Sequence, residues 1–180
     1  MKYLADMILL LIDLAEKQDQ SGWFRGVTRL EKIIFLLHEE YDAGKWLTTD
    51  KPKFIPYKLG PYSRDVYEAL DFLSSYNLID DQFTGGASNI DRSIIDSMEE
   101  LMTTYSSTIP YEERRFKLAP DGKRAVNSLK TMSNSSALQS IDECFAKYGG
   151  MPLGRLLRYV YQKYPNYTGQ SIIKGEVLGS

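Results

Sequence analysis

The single histidine is the first residue to test for catalysis, because imidazole titrates near neutral pH. His38 lies in a helical run beside Glu39 and Glu40, and no serine or cysteine accompanies it in a known nucleophile motif. Adjacent acids are further candidates for a general acid and base: Asp80-Asp81, Glu99-Glu100 and Glu112-Glu113. Sequential neighbours diverge in direction on helices and strands alike, so these residues predict solvated surface rather than an active site. We expect a protein that is not an enzyme.

Ligands for phosphates and metals are equally scarce. Gly85 and Gly86 lack both the lysine and the spacing of a phosphate-binding loop. The single cysteine, Cys144, permits neither an internal disulfide nor a cysteine-based zinc site. We predict no cofactor and no metal, and we expect Cys144 to be a buried small hydrophobe in a protein of the reducing cytoplasm.

Charge is strongly segregated along the chain, although the formal net charge is only −2. Residues 79–113 carry eight acids against Arg92, whereas residues 145–174 carry five cations and no acid. The acidic and the basic segment could attract each other within one chain or across a homodimer. The 180 residues are 43% hydrophobic, which suits one globular domain with an elaboration. Asp6 and Asp13 interrupt the apolar N-terminus, so we expect neither a signal peptide nor a membrane partner.

Three helices are predicted in the first half of the chain. A helix over residues 2–18 is apolar nearly all round, which places it in the core or in a dimer interface. Thr28 and Glu31 have the spacing of a capping box, so a second helix should run from Thr28 to about Asp42, with Gly44 as its C-cap. Its water-facing side is expected to carry four charged residues: Glu31, Lys32, Glu39 and Glu40.

A strand and a turn precede the third helix. The run 54–59 is rich in aromatic and branched residues, but Pro56 removes a ladder donor and limits the run to an edge strand or an extended loop. Gly60-Pro61 is predicted to turn the chain, and Ser63 to be the N-cap of the third helix. That helix should end at Tyr76-Asn77 and bury one aliphatic side: Val66, Leu70 and Leu73.

Two further strands and four more helices complete the prediction. Residues 80–84 are predicted to form the first strand of a wing, and residues 114–118 the strand that pairs with it. The connection between them at 87–110 is longer than a usual hairpin loop. Helical spacing over 91–105 predicts a short inserted helix there. A helix from Pro120 to about Thr131 is expected next. After a polar break and hinge at 133–136, two last helices should follow over Ala137–Tyr148 and Leu153–Tyr164.

The order of elements predicts a mainly α fold with a minor β part. We interpret residues 1–132 as a winged helix-turn-helix domain whose wing carries an enlarged insertion at about 87–110. Residues 133–180 are interpreted as a C-terminal helical extension that packs on this domain. Such an architecture is typical of small recognition domains.

Three segments resemble a known family: Leu30–Leu37, Tyr57–Ser63 and Val66–Leu70. Together they resemble the Panacea domain of SocA-type antitoxins and related phage-associated proteins, and they are also similar to the YwgA group. The resemblance covers about residues 28–80, with a weaker match over 115–125. Phe116–Gly122 also resembles the segment that closes many winged-helix wings, with Ala119 in place of the usual capping threonine. The resemblance implies a prokaryotic, non-enzymatic recognition domain that binds a partner protein, a toxin in that family, or acts near DNA.

Tyrosines are concentrated around the Gly-Pro segment. Protein interfaces favour tyrosine because its rigid ring and single hydroxyl lose little entropy when they are ordered. We therefore predict a partner-binding site made of Tyr57, Lys58, Gly60, Pro61, Tyr62, Arg64 and Tyr67. A second concentration lies among the C-terminal cations: Tyr159, Tyr161, Tyr164 and Tyr167.

A dimeric DNA-binding transcriptional regulator is the alternative. The predicted third helix has one residue that could contact DNA, Arg64, and three acids, Asp65, Glu68 and Asp71. Its net charge is therefore −2, whereas a helix that binds in the major groove should be basic. DNA contacts would therefore have to come from backbone-binding cations before the turn and on the wing: Lys51, Lys53, Arg114, Arg115 and Lys117.

Overall fold

Within the residues that the computed structural model describes, namely 2–18, 21–47, 49–85 and 112–169, the protein is mainly helical with two small antiparallel sheets. The helices are α1 (Leu4–Gln18), α2 (Val27–Glu40), α3 (Arg64–Ser75), α4 (Pro120–Met132), α5 (Ser135–Tyr148) and α6 (Leu153–Lys163). The strands are β1 (Phe24–Arg25), β2 (Ile55–Tyr57), β3 (Gly60–Tyr62), β4 (Ile79–Gly85) and β5 (Glu112–Leu118). Short 3-10 helices follow α2 and α6, at Ala43–Lys45 and Pro165–Tyr167.

Helix α1 lies in the middle of the core. Its residues from Leu4 to Ala15 include eight that are buried, and it contacts α3, α4, α5 and β5. A helix that is apolar nearly all round requires neighbours on several sides, and here it has them. Of the two environments predicted for this helix, the core is the one observed. No helix in the described ranges is long and apolar enough to cross a membrane.

Helix α2 differs from its prediction at both ends. It begins at Val27 after Gly26, and no side chain caps its first turn. The predicted capping box is wrong, because Glu31 points into the interior instead of back toward the helix start. The predicted C-cap at Gly44 is also wrong, since the helix ends at Tyr41 and the next residue, Asp42, takes the left-handed conformation with φ 54°.

Strands β2 and β3 form a hairpin in front of α3. Ile55 pairs with Tyr62 and Tyr57 pairs with Gly60, so the turn lies at Lys58-Leu59. The predicted turn at Gly60-Pro61 is therefore wrong, because both residues belong to β3. Gly60 has a φ of +86°, and a Cβ there would lie 2.8 Å from Cε1 of Tyr161. Both facts require glycine and seat the hairpin against α6.

The second sheet has the order β1-β5-β4. Ile79 pairs with Leu118 and Gly85 with Glu112, which confirms the predicted antiparallel strands around 80–84 and 114–118. The sequence did not predict β1, a two-residue strand that pairs with β5. The connection between β4 and β5, with the insertion at 87–110 and the helix expected over 91–105, lies outside the described residues.

The later helices join the same core as α1 and α2. Helix α4 begins at Pro120 as predicted, and α5 and α6 match their predicted ranges to within two residues. At the 133–136 break, Oδ1 of Asn134 accepts the Ser136 N–H at 2.9 Å and caps α5. Arg29 of α2 donates to the carbonyl oxygens of Gly149, at 3.2 Å, and Met151. The loop between α5 and α6 is thereby fixed to the start of α2.

Candidate functional site

Three tyrosine rings lie in a row along the β2–β3 hairpin and the start of α3, each tilted by about 40° against the next. The ring centroids of Tyr57 and Tyr62 are 5.0 Å apart, and those of Tyr62 and Tyr67 are 5.4 Å apart. Tyr57 is 43% exposed, and Ile55, on the same strand, is 53% exposed. We call these four residues the tyrosine face. It is a contiguous apolar surface with hydroxyl groups, which is the composition of a protein interface.

The backbone on both sides of Tyr62 is held by two buried charges of α2. Lys32 Nζ donates to the carbonyl oxygen of Pro61 at 2.7 Å and to Glu31 Oε2 at 2.9 Å. Glu31 Oε1 accepts the Ser63 N–H at 2.9 Å. We call this arrangement the Glu31–Lys32 clamp, since it fixes the peptide groups before and after Tyr62.

Both members of the clamp are withdrawn from water, with Glu31 3% and Lys32 0% exposed. The prediction that they face water is therefore wrong. Burial lowers the pKa of the Lys32 ammonium from its ordinary value, while the neighbouring Glu31 carboxylate raises it. A buried ion pair is retained only where hydrogen bonds compensate for the lost hydration, and here the backbone of β3 and the first residue after it provide them.

The other predicted partner-binding residues divide into support and surface. Gly60 and Pro61 are buried and support the tyrosine face without forming it. Lys58 is exposed, with Nζ 6.0 Å from the centroid of the Tyr57 ring. Arg64 lies on the exposed side of α3, where its Nε donates to Glu68 Oε1 at 2.8 Å. Ser63 occupies the N-cap position of α3 as predicted, but its side chain does not cap the helix.

The five cations that were predicted to contact DNA have different surroundings. Arg114 is only 15% exposed and donates to Asp81 at 2.6 Å and to Asp71 at 2.8 Å. Its charge is thus engaged by two carboxylates. The Arg115 guanidinium lies 4.3 Å from the centroid of the Trp23 ring, and Lys117 Nζ lies 5.8 Å from it. The two cations predicted before the turn are exposed: Lys51 and Lys53.

The exposed side of α3 carries acids and aromatic rings. Phe72 and Tyr76 are 50% and 65% exposed, with ring centroids 4.7 Å apart. Glu68 and Asp71 are exposed beside them. A phosphate backbone would be repelled by this charge, so α3 is poorly suited to enter the major groove.

A second carboxylate, Glu40, lies at the other end of α2 and collects hydroxyl groups from the C-terminal helices. It accepts hydrogen bonds from Tyr148 at 2.7 Å, Tyr159 at 2.8 Å and Tyr164 at 3.1 Å, and from Lys163 Nζ at 2.9 Å. We call these five residues the Glu40 hub. The prediction that Glu40 points to water is wrong, because its side chain is only 10% exposed.

The hub strongly favours the ionised form of Glu40. Burial alone raises the pKa of this carboxyl, but the hydrogen bonds from Tyr148, Lys163, Tyr159 and Tyr164 together outweigh burial and hold its pKa at about 2. Burial and the contact with the Glu40 carboxylate raise the pKa of Tyr148 and Tyr164. Two of the four tyrosines of the second concentration, Tyr159 and Tyr164, therefore have a structural role, and a third, Tyr161, is buried beside Gly60.

His38 and Cys144 have different surroundings. The side chain of His38 is 34% exposed and contacts Glu39 at 3.3 Å. Cys144 is fully buried as predicted, and burial raises the pKa of its thiol to about 12. In the described part of the chain, no three or more His, Cys, Asp or Glu residues are grouped so that they could hold a metal ion.

No family model matches the chain, and neither a curated protein nor a solved structure is significantly similar to it. The tyrosine face and the clamp behind it are therefore the basis on which a function can be assigned. The signal that could have identified the clamp is the pair Glu31-Lys32 directly before the apolar run 33–37. The position of these charges in the sequence does not show which backbone groups they bind, because those groups lie about 30 residues away.

Proposed function

We propose that the protein is a non-catalytic binding module that holds a partner protein on the tyrosine face. The single observation that carries this proposal is the support of a partly exposed aromatic surface: the peptide groups on both sides of Tyr62 are fixed from within by the Glu31–Lys32 clamp. A surface whose backbone is fixed before binding loses less entropy when it binds. Tyrosine side chains in such settings are frequent interface hot spots.

The winged helix-turn-helix architecture is part of the proposal. Helices α1–α3 precede the β4–β5 hairpin, and β1 adds a third strand beside it, which is an order compatible with a winged helix. The Panacea-like segments include both members of the clamp and the stretch 57–63 that the clamp holds. On this basis we propose a toxin as the partner and the prokaryotic cytoplasm as the location.

Co-purification tests the proposal. The tagged protein is co-expressed with the product of the adjacent gene, and the experiment is repeated with the double variant Tyr57→Ala/Tyr62→Ala. Met132→Ala is the matched control, because Met132 is 84% exposed and lies at the end of α4. We expect the wild type and the control to retain the partner and the double variant to lose it. Equal retention by all three proteins would contradict the proposal.

DNA binding by a dimeric regulator is the second candidate, and one observation favours it. Arg115 and Lys117 lie against the ring of Trp23, which gives β5 a basic and aromatic patch. Fluorescence anisotropy with the upstream DNA and a scrambled duplex, from about 50 to 200 mM salt, separates the candidates. We expect weak binding that is equal for both duplexes. Tight binding of the upstream DNA alone, lost in Arg115→Ala, would favour the regulator.

A further inference from the structure

A groove separates the start of α1 from α3, on a part of the surface formed by other residues than the tyrosine face. It has a volume of about 550 Å³, and its lining includes Tyr3, Asp50, Asp65, Glu68 and Phe72. Tyr3 and Phe72 are each 50% exposed, so two large rings are open to solvent at this groove.

The charge of the groove is of one sign. Its lining has four carboxylates, those of Asp6, Asp50, Asp65 and Glu68. No basic residue is part of the lining that the structure describes. The Asp6 carboxylate accepts the N–H groups of Lys2 at 3.1 Å and Tyr3 at 3.2 Å. The Asp65 carboxylate accepts the Lys53 N–H at 2.7 Å. Both carboxylates are thus oriented by neutral backbone donors, and no cation in the described ranges pairs with either of them.

The remaining two carboxylates are accessible to a new partner. Asp50 is exposed and forms no salt bridge with any residue that the structure describes. Glu68 pairs with Arg64 in an exposed i,i+4 contact of 2.8 Å, a type of pair that contributes little stability and is easily exchanged. A cation entering the groove would therefore meet uncompensated negative charge beside aromatic rings.

We infer that this groove binds an arginine-bearing segment of the partner protein. A guanidinium matches both features of the lining, because its planar face stacks on aromatic rings and its N–H groups form bidentate hydrogen bonds with carboxylates. A lysine ammonium is a more strongly hydrated point charge and uses the rings less well. The inference rests on the proposed function in one respect, namely that the arginine belongs to a partner protein. It adds that this partner has a basic segment.

A peptide titration tests the groove without the natural partner. The probe is N-acetyl-Arg-Leu-Arg-amide, its control is N-acetyl-Glu-Leu-Glu-amide, and the readout is the NMR ring signals of Tyr3 and Phe72. We expect the arginine peptide alone to shift these signals. The variant Asp50→Asn/Glu68→Gln should weaken its binding about three- to ten-fold. Asp142→Asn/Glu143→Gln removes two exposed acids from α5 and should leave the affinity within about twofold of wild type.

The outcomes separate this inference from the proposed function. Equal shifts with both peptides, or equal loss of affinity in both variants, would overturn the groove as an arginine site. A homodimer seen by sedimentation and abolished by Asp50→Asn/Glu68→Gln would overturn it in favour of a second copy as occupant. Tyr62→Ala should leave peptide binding unchanged. If the wild type does not bind the arginine peptide but Tyr57→Ala/Tyr62→Ala loses the partner protein, the groove is rejected as an arginine site. The tyrosine face is then retained as the partner-binding site.

Discussion

Helix α2 carries a largely buried carboxylate near each end, and the two make different kinds of contact. Glu31, with Lys32, binds backbone groups on both sides of one half-buried tyrosine, Tyr62. Glu40 binds side-chain hydroxyls and an ammonium from the last two helices. The clamp therefore fixes the position of a surface hairpin, whereas the hub fastens helices to one another. This difference separates a polar contact that positions surface backbone from one that joins helices.

Desolvation explains why the clamp is better suited to positioning than to stability. Removing a carboxylate and an ammonium from water costs several kcal/mol per ion, and apolar residues of similar size are often as stabilising. The clamp gives directional hydrogen bonds to Pro61 O and Ser63 N, which apolar residues cannot provide. The hub lies at the rim, where Lys163 remains 47% exposed, so its carboxylate keeps more of its hydration.

The largest effect is expected from breaking the clamp on one side. Lys32→Met leaves the Glu31 carboxylate buried without its cation, which should reduce the free energy of unfolding by about 3–5 kcal/mol. Urea denaturation measures the change. The double variant Glu31→Gln/Lys32→Met removes the stranded charge and should recover a large part of the loss. A loss below about 1 kcal/mol in the single variant would show that Glu31 is not held as a buried ion.

A smaller effect is expected from removing the centre of the hub. Glu40→Ala removes the acceptor shared by three hydroxyls and Lys163, and should cost about 2–3 kcal/mol. Thermal and urea unfolding measure it. Glu39→Ala is the matched control, because the neighbouring acid is exposed and should change stability by less than about 0.5 kcal/mol. Equal effects of the two substitutions would remove the distinction between hub and solvated surface.

The pH dependence of stability sharpens the assignment of the hub. The folded pKa of Glu40, about 2, lies below its ordinary value of 4.5. Its contribution is therefore fully present above about pH 5 and is lost as the pH falls toward 2. Because solvent screens part of this interaction, we expect about 1–2 kcal/mol between these limits. The difference between the unfolding free energies of wild type and Glu40→Gln, measured from pH 6 to 2, should shrink accordingly, and a constant difference would contradict the assignment.

Local signals in the sequence predicted most of the helices and the β4–β5 hairpin. Helical periodicity identified α1 and α3, Pro120 marked the start of α4, and Gly85-Gly86 and Pro120 marked the ends of the two strands. Such patterns depend on residues within a few positions of one another, so one sequence suffices to detect them. The set of tyrosines around Gly60-Pro61 was also found in this way, and the structure brings three of their rings into contact.

The errors concern partners that are distant in the chain. Glu31 and Lys32 have the helical positions of exposed charges, yet both are buried because β3 comes to them from about 30 residues away. Glu40 meets hydroxyls more than 100 residues away. The turn was misplaced because Gly60-Pro61 has the composition of a turn, while its strand conformation is imposed by Lys32 and Tyr161. No local pattern records these contacts.

The central claim is that the tyrosines of the face bind the partner and those of the hub stabilise the fold. Calorimetric titration of the co-purified partner, with unfolding of the same variants, tests it directly. Tyr57→Ala/Tyr62→Ala should weaken binding by at least about thirty-fold with little change in unfolding. Tyr159→Phe removes the hydroxyl that donates to Glu40, and should lower stability by about 1–2 kcal/mol with binding unchanged. Weaker binding in Tyr159→Phe together with unchanged binding in the face variant would contradict the account.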